Sequence, residues 1–195
     1  MVQTILGSGG GIGTPLAREL KNYTCRIRLV SRNPKKVNDT DELFPADLND
    51  LSQVDHAIAG SDVVYVTIGF RYNLKVWQKT WPSFMQAVID SCKKHNAKLV
   101  FFDNVYMYDR GAIPFMTETS IIKPPSKKGK VRQELREMIM KEVEKKNLTA
   151  LIARAADFYG PENKNAVLNI MIADNFLKGK KDYLYLKRKL NLCFK

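Results

Sequence analysis

The sequence lacks the cysteine pattern of a disulfide framework or a zinc site. Its three cysteines, Cys25, Cys92 and Cys193, are widely spaced, and none forms a CxxC pair. Scattered cysteines in odd number are typical of free thiols in a reducing compartment. We therefore expect no disulfide and no metal site, and we expect a cytoplasmic setting.

Long hydrophobic runs are also missing. No apolar stretch reaches the roughly 18 residues that a membrane span needs. The apolar run Val2–Leu6 has no basic region before it and is too short for a signal peptide. A chain of 195 residues with 45% hydrophobic and 27% charged residues can bury the core of one globular domain. We expect such a domain, without a membrane anchor.

Acidic residues are few relative to basic ones. The 32 lysines and arginines exceed the 20 acidic residues, so the net charge is +12. The basic residues concentrate in 123–146 and 178–195, and glutamates interleave with them in the first segment, as on a solvated helix. The charge indicates an anionic partner. We favour a phosphorylated small molecule over nucleic acid, because acids share the faces of the basic residues.

Glycine, in contrast, is concentrated near the N-terminus. The segment Gly7-Ser8-Gly9-Gly10-Gly11-Ile12-Gly13 follows the apolar run and opens an apolar-periodic segment at 12–20. This order predicts a strand, a tight loop and a helix whose N-terminal N–H groups can bind a pyrophosphate. The GxGxxG register fails at Ile12, whereas Gly7-x-x-Gly10-x-x-Gly13 fits. A purely structural turn is the alternative to a dinucleotide site, for which the predicted contacts are Gly7, Ser8, Gly10, Gly11, Ile12 and Gly13.

Strands and helices alternate along the rest of the chain. Apolar runs predict further strands at 25–30, 63–69, 98–102 and 148–153. Periodic segments predict helices at 50–58, 74–95 and 126–146. Pro82 is expected to kink or divide the helix at 74–95, and 103–125 is expected to be a loop. The alternation predicts an α/β fold of the Rossmann type. In that fold helices cover both faces of a doubly wound parallel sheet, and ligands lie at the carboxyl ends of the strands.

Polar residues at these strand ends refine the expected cofactor. The second strand ends at Ser31 and Arg32, where NAD-preferring sites usually carry an acid for the ribose 2′-hydroxyl. A guanidinium can pair with a 2′-phosphate, so Arg32 favours NADP(H) over NAD(H); a surface arginine in a turn is the alternative. Asp47, followed by Leu48, either accepts a hydrogen bond from adenine or caps the next helix. Gly69 allows the backbone to run close to a ligand.

With a later Phe158-Tyr159-Gly160-Pro161 segment, these residues resemble the short-chain dehydrogenase/reductase superfamily. The nearest branch is the extended or atypical one, the NAD(P)-dependent epimerase/dehydratase family, and the resemblance covers residues 1–179. It implies an oxidoreductase or epimerase/dehydratase that acts on a small hydroxylated or carbonyl substrate, such as a nucleotide-sugar.

The sequence departs from this family where the catalytic residues should lie. Met107-Tyr108-Asp109 matches the family's VYG-like turn and puts Asn104 where a serine is expected. The family's Tyr-x-x-x-Lys pair, whose tyrosine is the acid/base, is replaced by Lys128 and Arg132. The resemblance thus leaves Tyr108 and Asn104 as candidate catalytic residues, with Lys128 and Arg132 in support. Solvated lysines and a structural tyrosine are the competing interpretations.

The C-terminal part departs as well. We expect a Rossmann domain at 1–160 and a remnant of the substrate region with a basic tail at 161–195. The segment 183–195 is either a novel basic tail or the product of a truncated or shifted reading frame. A shortened substrate region would expose apolar surface that a homo-oligomer could cover. Because the Tyr/Lys pair is missing, a catalytically inactive NADPH-binding sensor or regulatory partner is the alternative function.

Overall fold

The computed structural model describes residues 1–156 and Phe158. The expected domain boundary at 160, the segment 161–195, Cys193, the basic tail from Lys178 and the Tyr159-Gly160-Pro161 part of the family segment lie outside the described residues. Within the described part, no helix is both long enough and apolar enough to cross a membrane.

Strands and α-helices alternate along the described chain, as the sequence predicts, except that the second strand is followed directly by a third strand, Glu42–Pro45, which was not predicted. In chain order they are β1 (Val2–Leu6), α1 (Gly13–Leu20), β2 (Arg26–Ser31), β3 (Glu42–Pro45), α2 (Leu51–Ile58), β4 (Val63–Val66), α3 (Leu74–Lys94), β5 (Lys98–Asp103), a 3-10 helix (Arg110–Phe115), α4 (Lys127–Glu144) and β6 (Ala150–Arg154).

The strands form one parallel sheet in the order β3-β2-β1-β4-β5-β6. Leu6, the last residue of β1, pairs with Val30 of β2 on one side and with Val66 of β4 on the other. The chain therefore winds outward in both directions from the β1–β4 boundary. This is the doubly wound order, and a crevice opens at the carboxyl end of that boundary.

The core lies on both faces of the sheet. Ile5 and Leu6 are fully buried and point to opposite faces, because side chains alternate along a strand. Leu6 belongs to a large cluster with residues from α2, α3 and α4, and Ile5 belongs to a smaller one with Ala17 and Leu20 of α1. Helices on both faces, and with them the predicted Rossmann-like fold, are confirmed.

Of the two expectations for Pro82, division of the third helix is wrong, whereas a kink stays a prediction. Pro82 lies inside α3, which runs as one helix from Leu74 to Lys94. Trp81 before the proline and Phe84 after it are both buried in the same core cluster. Packing of both halves against one sheet face holds the helix together despite the backbone hydrogen bond that a proline removes.

The segment 103–125 is more ordered than a plain loop. It contains the 3-10 helix Arg110–Phe115, and Tyr108 forms an isolated antiparallel bridge with Ile122. The segment thus folds back on itself before α4 begins. Ser126 caps that helix, because its side chain accepts a hydrogen bond from the Gly129 N–H.

Candidate cofactor site

A cavity of about 450 Å³ opens at the carboxyl ends of the central strands. Its lining comes from the segments after β1, β2, β3 and β4 and from the start of α3, namely Gly7, Gly9, Gly10, Ser31, Arg32, Ala46, Asp47, Leu48, Asn49, Thr67, Ile68, Gly69, Phe70, Arg71 and Val76. The cavity therefore lies at the point where the strand order reverses, which is the usual ligand position in open α/β sheets.

Two of the glycines are required by close backbone contacts. Gly7 has a φ of +100°, and a Cβ atom there would lie 2.6 Å from the backbone nitrogen of Ile68. A Cβ at Gly13 would lie 2.6 Å from the carbonyl oxygen of Gly7. The end of β1 thus packs directly against the end of β4 and against α1, so a side chain at either position would open the loop.

The N-terminus of α1 faces this loop without a side-chain cap. Ile12 occupies the N-cap position and supplies no capping hydrogen bond, and no acidic residue lies in the first turn. The N–H groups of this turn are suited to an anion such as a pyrophosphate. Ser8 is buried nearby, and its hydroxyl has no hydrogen-bond partner among the described residues.

The predicted loop contacts divide into two groups. Gly7 and Gly10 line the cavity, and Gly9, which was not among the predicted contacts, lines it as well. Ser8, Gly11, Ile12 and Gly13 shape the loop and the start of α1 behind this lining. Contact between these four residues and a dinucleotide stays a prediction.

Arg32, Asp47 and Leu48, which are predicted to contact the adenosine part of a cofactor, are among the residues that line the cavity. Hydrogen bonds from the backbone and side chain of Asn49, assisted by the nearby charge of Arg32, hold the pKa of the Asp47 carboxyl below its usual value. Asp47 is therefore an anionic acceptor within the influence of the Arg32 guanidinium.

The alternative role of Asp47 as a helix cap is wrong. Asp50 occupies the N-cap of α2, and its side chain accepts hydrogen bonds from the backbone and hydroxyl of Ser52. The helix begins at Leu51, three residues too late for Asp47 to cap it in this way. The Asp47 carboxylate instead accepts from Asn49 and borders the cavity.

The part of the cavity wall that follows β4 contains a cation that the sequence patterns did not identify. Arg71 is exposed and lines the cavity with Gly69 and Phe70. Phe70 anchors this wall, because its ring packs edge-on against Trp81 at 4.7 Å and against Phe84 at 5.3 Å. The signal available in the sequence was the position of Arg71, shortly after the end of β4.

Lys128 and Arg132 stand where the family's Tyr/Lys pair is expected, and both contact aromatic rings. The Lys128 ammonium lies 3.0 Å from the centre of the Tyr72 ring. The Arg132 guanidinium lies 4.3 Å from the Trp77 ring and 4.1 Å from the Trp81 ring. Neither residue lines the cavity.

Arg132 is also paired with a buried carboxylate. Its side chain is almost fully buried, and its Nη1 lies 3.5 Å from Oδ1 of Asp103, while Nε of Arg154 lies 3.7 Å from Oδ2. Burial raises the pKa of Asp103 against the opposing charges of Arg132 and Arg154. Burial likewise lowers the pKa of Arg132. Both charged groups lie in the low-dielectric interior, which strengthens their attraction.

The other two candidate catalytic residues are held by local hydrogen bonds. The Asn104 side-chain oxygen accepts from the backbone N–H of Tyr106 at 3.0 Å. Tyr108 is 5% exposed, and its hydroxyl accepts from Nη1 of Arg154 at 3.3 Å. Neither lines the cavity. The four candidates thus lie around the ends of β5 and β6 and the start of α4, and none of them lines the cavity.

The residues 1–156 and Phe158 contain no cluster of three or more His, Cys, Asp or Glu side chains that could hold a metal ion.

Comparison with known proteins identifies the family. A family model described as NAD(P)H-binding matches residues 7–163, which is most of the chain. No curated protein matches the sequence.

Solved structures share the fold at low identity. A UDP-galactose 4-epimerase superposes with a TM-score of 0.79 at 22% identity, covering 92% of this chain and 64% of that one. A UDP-N-acetylglucosamine 4-epimerase from Bacillus cereus gives 0.72 at 18% identity, covering 91% and 61%.

The Bordetella bronchiseptica enzyme WbmH, in a complex with NAD+, gives a TM-score of 0.74 at 19% identity, covering 92% of this chain and 63% of that one. The chain therefore spans less than two thirds of the length of these structures. Its fold is the one that these epimerase structures share, and the chain belongs to the NAD(P)H-binding family.

Proposed function

We propose that the chain binds NADP(H) in the cavity at the β1–β4 boundary. The observation that carries this proposal is the lining itself, which joins the glycine loop, Arg32 and Asp47 in one space of about 450 Å³. The pyrophosphate lies over Gly7 and Gly10, and the adenine lies beside Asp47 and Leu48. Gly69 has no side chain, so the cofactor can approach the backbone of the cavity wall after β4.

Arg32 is the residue that selects NADP(H) in this proposal. It is exposed at the end of β2, where it can form two parallel hydrogen bonds with a 2′-phosphate. The preceding residue, Ser31, also lines the cavity and adds no negative charge that would repel this phosphate. Asp47 faces the adenine side, where a carboxylate can accept from the amino group.

Arg71 adds a second cation on the other side of the glycine loop. The end of β4 packs against Gly7, so the wall that carries Arg71 stands next to the proposed pyrophosphate position. A guanidinium there would contact the pyrophosphate, which NADPH and NADH share. Arg32 therefore sets the choice of cofactor, and Arg71 strengthens the binding of both.

We further propose hydride chemistry of the epimerase/dehydratase type on a small hydroxylated or carbonyl substrate. The bound cofactor would supply or accept the hydride. Tyr108, 5% exposed and outside the cavity lining, is the candidate for proton transfer on the family resemblance. Arg154 fixes the Tyr108 hydroxyl in place. A nucleotide-sugar is a reasonable first substrate class, because MoeE5, another protein with this fold, is known in a complex with UDP-glucose and NAD.

A second function, cofactor binding without turnover, is favoured by the contacts of Lys128 and Arg132. The cation that the family uses beside its tyrosine is here an arginine enclosed by two tryptophans and paired with Asp103. In this form the protein would act as an NADPH-dependent sensor or regulatory partner.

One experiment separates these two functions. The full chain, saturated with NADPH or NADP+, is incubated with UDP-glucose, UDP-galactose and simple aldehydes, and product formation and cofactor absorbance are followed. Turnover by the wild type supports the enzymatic function if the Tyr108→Phe variant loses this turnover and keeps its NADPH affinity. NADPH binding without turnover on any of these substrates supports the sensor, and no NADPH binding contradicts both.

A further inference from the structure

The wall that carries Arg71 is a short connection between β4 and α3. We call residues 69–73 the wall segment; its members Gly69, Phe70 and Arg71 line the cavity. At its end, the Asn73 side chain caps α3 by accepting from the Val76 N–H, and Val76 lines the cavity too. The position of the wall segment therefore determines where Arg71 stands.

The middle of the wall segment is attached to another helix through Lys128. Tyr72 is 65% exposed, yet its ring lies edge-on to Trp77 at 5.5 Å and covers the Lys128 ammonium at 3.0 Å. Lys128 is half-buried and also lies 5.6 Å from the Trp77 ring. A cation over two rings attracts their negative faces.

The helix turn that carries Lys128 is itself fixed. Gly129, the next residue, is buried, and a Cβ atom there would overlap the carbonyl oxygen of Tyr106 and lie 2.8 Å from Cβ of Pro124. Tyr106 in turn stacks on Trp77, with ring centres 6.4 Å apart. The first turn of α4 is thus packed closely against Tyr106 and Pro124. Lys128 extends from this turn onto the Tyr72 ring.

We propose that Lys128 is a positioning residue for the cofactor cavity, which holds the wall segment through Tyr72 and so places Arg71 over the pyrophosphate. This inference rests on the proposed cofactor site and gives Lys128 a role in binding that requires no proton transfer. The contact joins the wall segment to α4 across 56 residues of sequence, so the cavity depends on a helix that contributes none of its lining.

A double-mutant cycle on NADPH affinity tests the coupling. Lys128→Gln should weaken NADPH binding by about 2- to 5-fold, the size of a cation–π contact at an exposed site, and Lys128→Arg should bind as the wild type does. In an Arg71→Ala background, Lys128→Gln should change the affinity by less than about 2-fold, because the group that it positions is gone.

Matched variants separate position from charge. Lys127→Gln and Lys130→Gln remove the same charge from exposed positions in the same turn, and each should leave NADPH binding within about 2-fold of wild type. Tyr72→Phe retains the ring and should bind normally, whereas Tyr72→Leu should reproduce the Lys128→Gln defect. Equal losses in all three lysine variants, or additive losses in the cycle, would overturn the proposal in favour of general attraction of the anion.

Hydrogen exchange of the protein without cofactor tests the same contact independently. The backbone N–H groups of Asn73 and Val76 should exchange at least about 2-fold faster in Lys128→Gln than in Lys128→Arg or Lys127→Gln. Unchanged exchange would contradict the positioning role even if NADPH binds. If the wild type does not bind NADPH, the proposed function fails, whereas faster exchange would still support the contact between Lys128 and the wall segment.

Discussion

The two halves of the sheet carry different chemistry at the same edge. At the ends of β1 to β4, small residues and exposed cations surround an open cavity. At the ends of β5 and β6, charged side chains are buried and paired, with Asp103 between Arg132 and Arg154. The first half is shaped for a ligand, and the second is filled by its own side chains.

The two halves differ in what fixes their geometry. A dinucleotide cradle depends on backbone geometry, which fixes Gly7 and Gly13 by close contacts. The acid/base pair depends on two side chains, which can be replaced without disturbing the sheet. At the positions where the resemblance expects that pair, Lys128 and Arg132 join α4 to α3 through cation–aromatic contacts.

The largest expected effect is on the buried pair of the second half. Arg132→Leu leaves the Asp103 carboxylate buried with Arg154 as its nearest described cation, and should lower the free energy of unfolding by ~3–5 kcal/mol. Urea denaturation measures this loss. Lys130→Leu, exposed on the same helix, is the control; a loss below ~1 kcal/mol for Arg132→Leu would show that the pair contributes little.

The next effect concerns the glycine loop of the first half. Gly7→Ala places a Cβ against Ile68 at a positive φ, and should lower the free energy of unfolding by ~1–3 kcal/mol. The same variant should also lose NADPH binding. Gly9→Ala is the stability control, because its Cβ would meet no atom within 4 Å. Thermal unfolding compares the two variants, and equal melting temperatures would contradict the close approach of β1 and β4.

The third prediction concerns the part of the cavity wall that carries Arg71. Arg71→Ala should weaken the binding of NADPH and of NADH by the same factor, roughly 10-fold, because a charge-assisted hydrogen bond to the pyrophosphate that both cofactors share would be lost. Lys75→Ala, exposed in the first turn of α3, should have little effect on either cofactor. A loss confined to NADPH would instead place Arg71 at the 2′-phosphate.

The smallest effect is a surface contact that links α3 to α4. Hydrogen bonds from Lys93 at 2.6 Å and from Asn147 lower the pKa of Glu142 from 4.5 to about 2. The folded pKa lies below the unfolded value, so this stabilisation is present above pH 4.5 and is lost as the pH falls toward 2.

Glu142→Gln should therefore lower the melting temperature at pH 7, and the difference from wild type should shrink by pH 3. Glu134→Gln, exposed on the same helix, should differ little from wild type at either pH. A Glu142→Gln deficit that is equal at both pH values would show that the carboxylate charge is not responsible.

Much of the first half could be predicted from the sequence, because its signals are local. The spacing of Gly7, Gly10 and Gly13 and the position of Arg32 at a strand end follow from neighbouring residues. The prediction that Asp47 could cap α2 failed because the segment 47–50 contains two acidic residues. Only the start of α2 at Leu51 identifies Asp50 as the N-cap. Arg71 was missed because no motif marks the connection after β4.

The second half could not be predicted in the same way, because its contacts join distant segments. Tyr72 meets Lys128, and Trp77 meets Arg132, only after α3 and α4 pack side by side on the sheet. The family pattern could say which residues were missing but not where their replacements would point. Pro82 shows the same limit, since core packing on both sides of it overrides a local helix-breaking signal.

The most direct measurement is the ratio of NADPH to NADH affinity, determined by calorimetry on the full chain and on Arg32→Asp. The wild type should bind NADPH at least ~10-fold more tightly than NADH, and Arg32→Asp should abolish this preference while retaining NADH binding. Lys35→Asp, in the adjacent exposed turn, should keep the preference. Equal affinities in the wild type, or a preference that survives Arg32→Asp, would contradict an NADP(H) site at the end of β2.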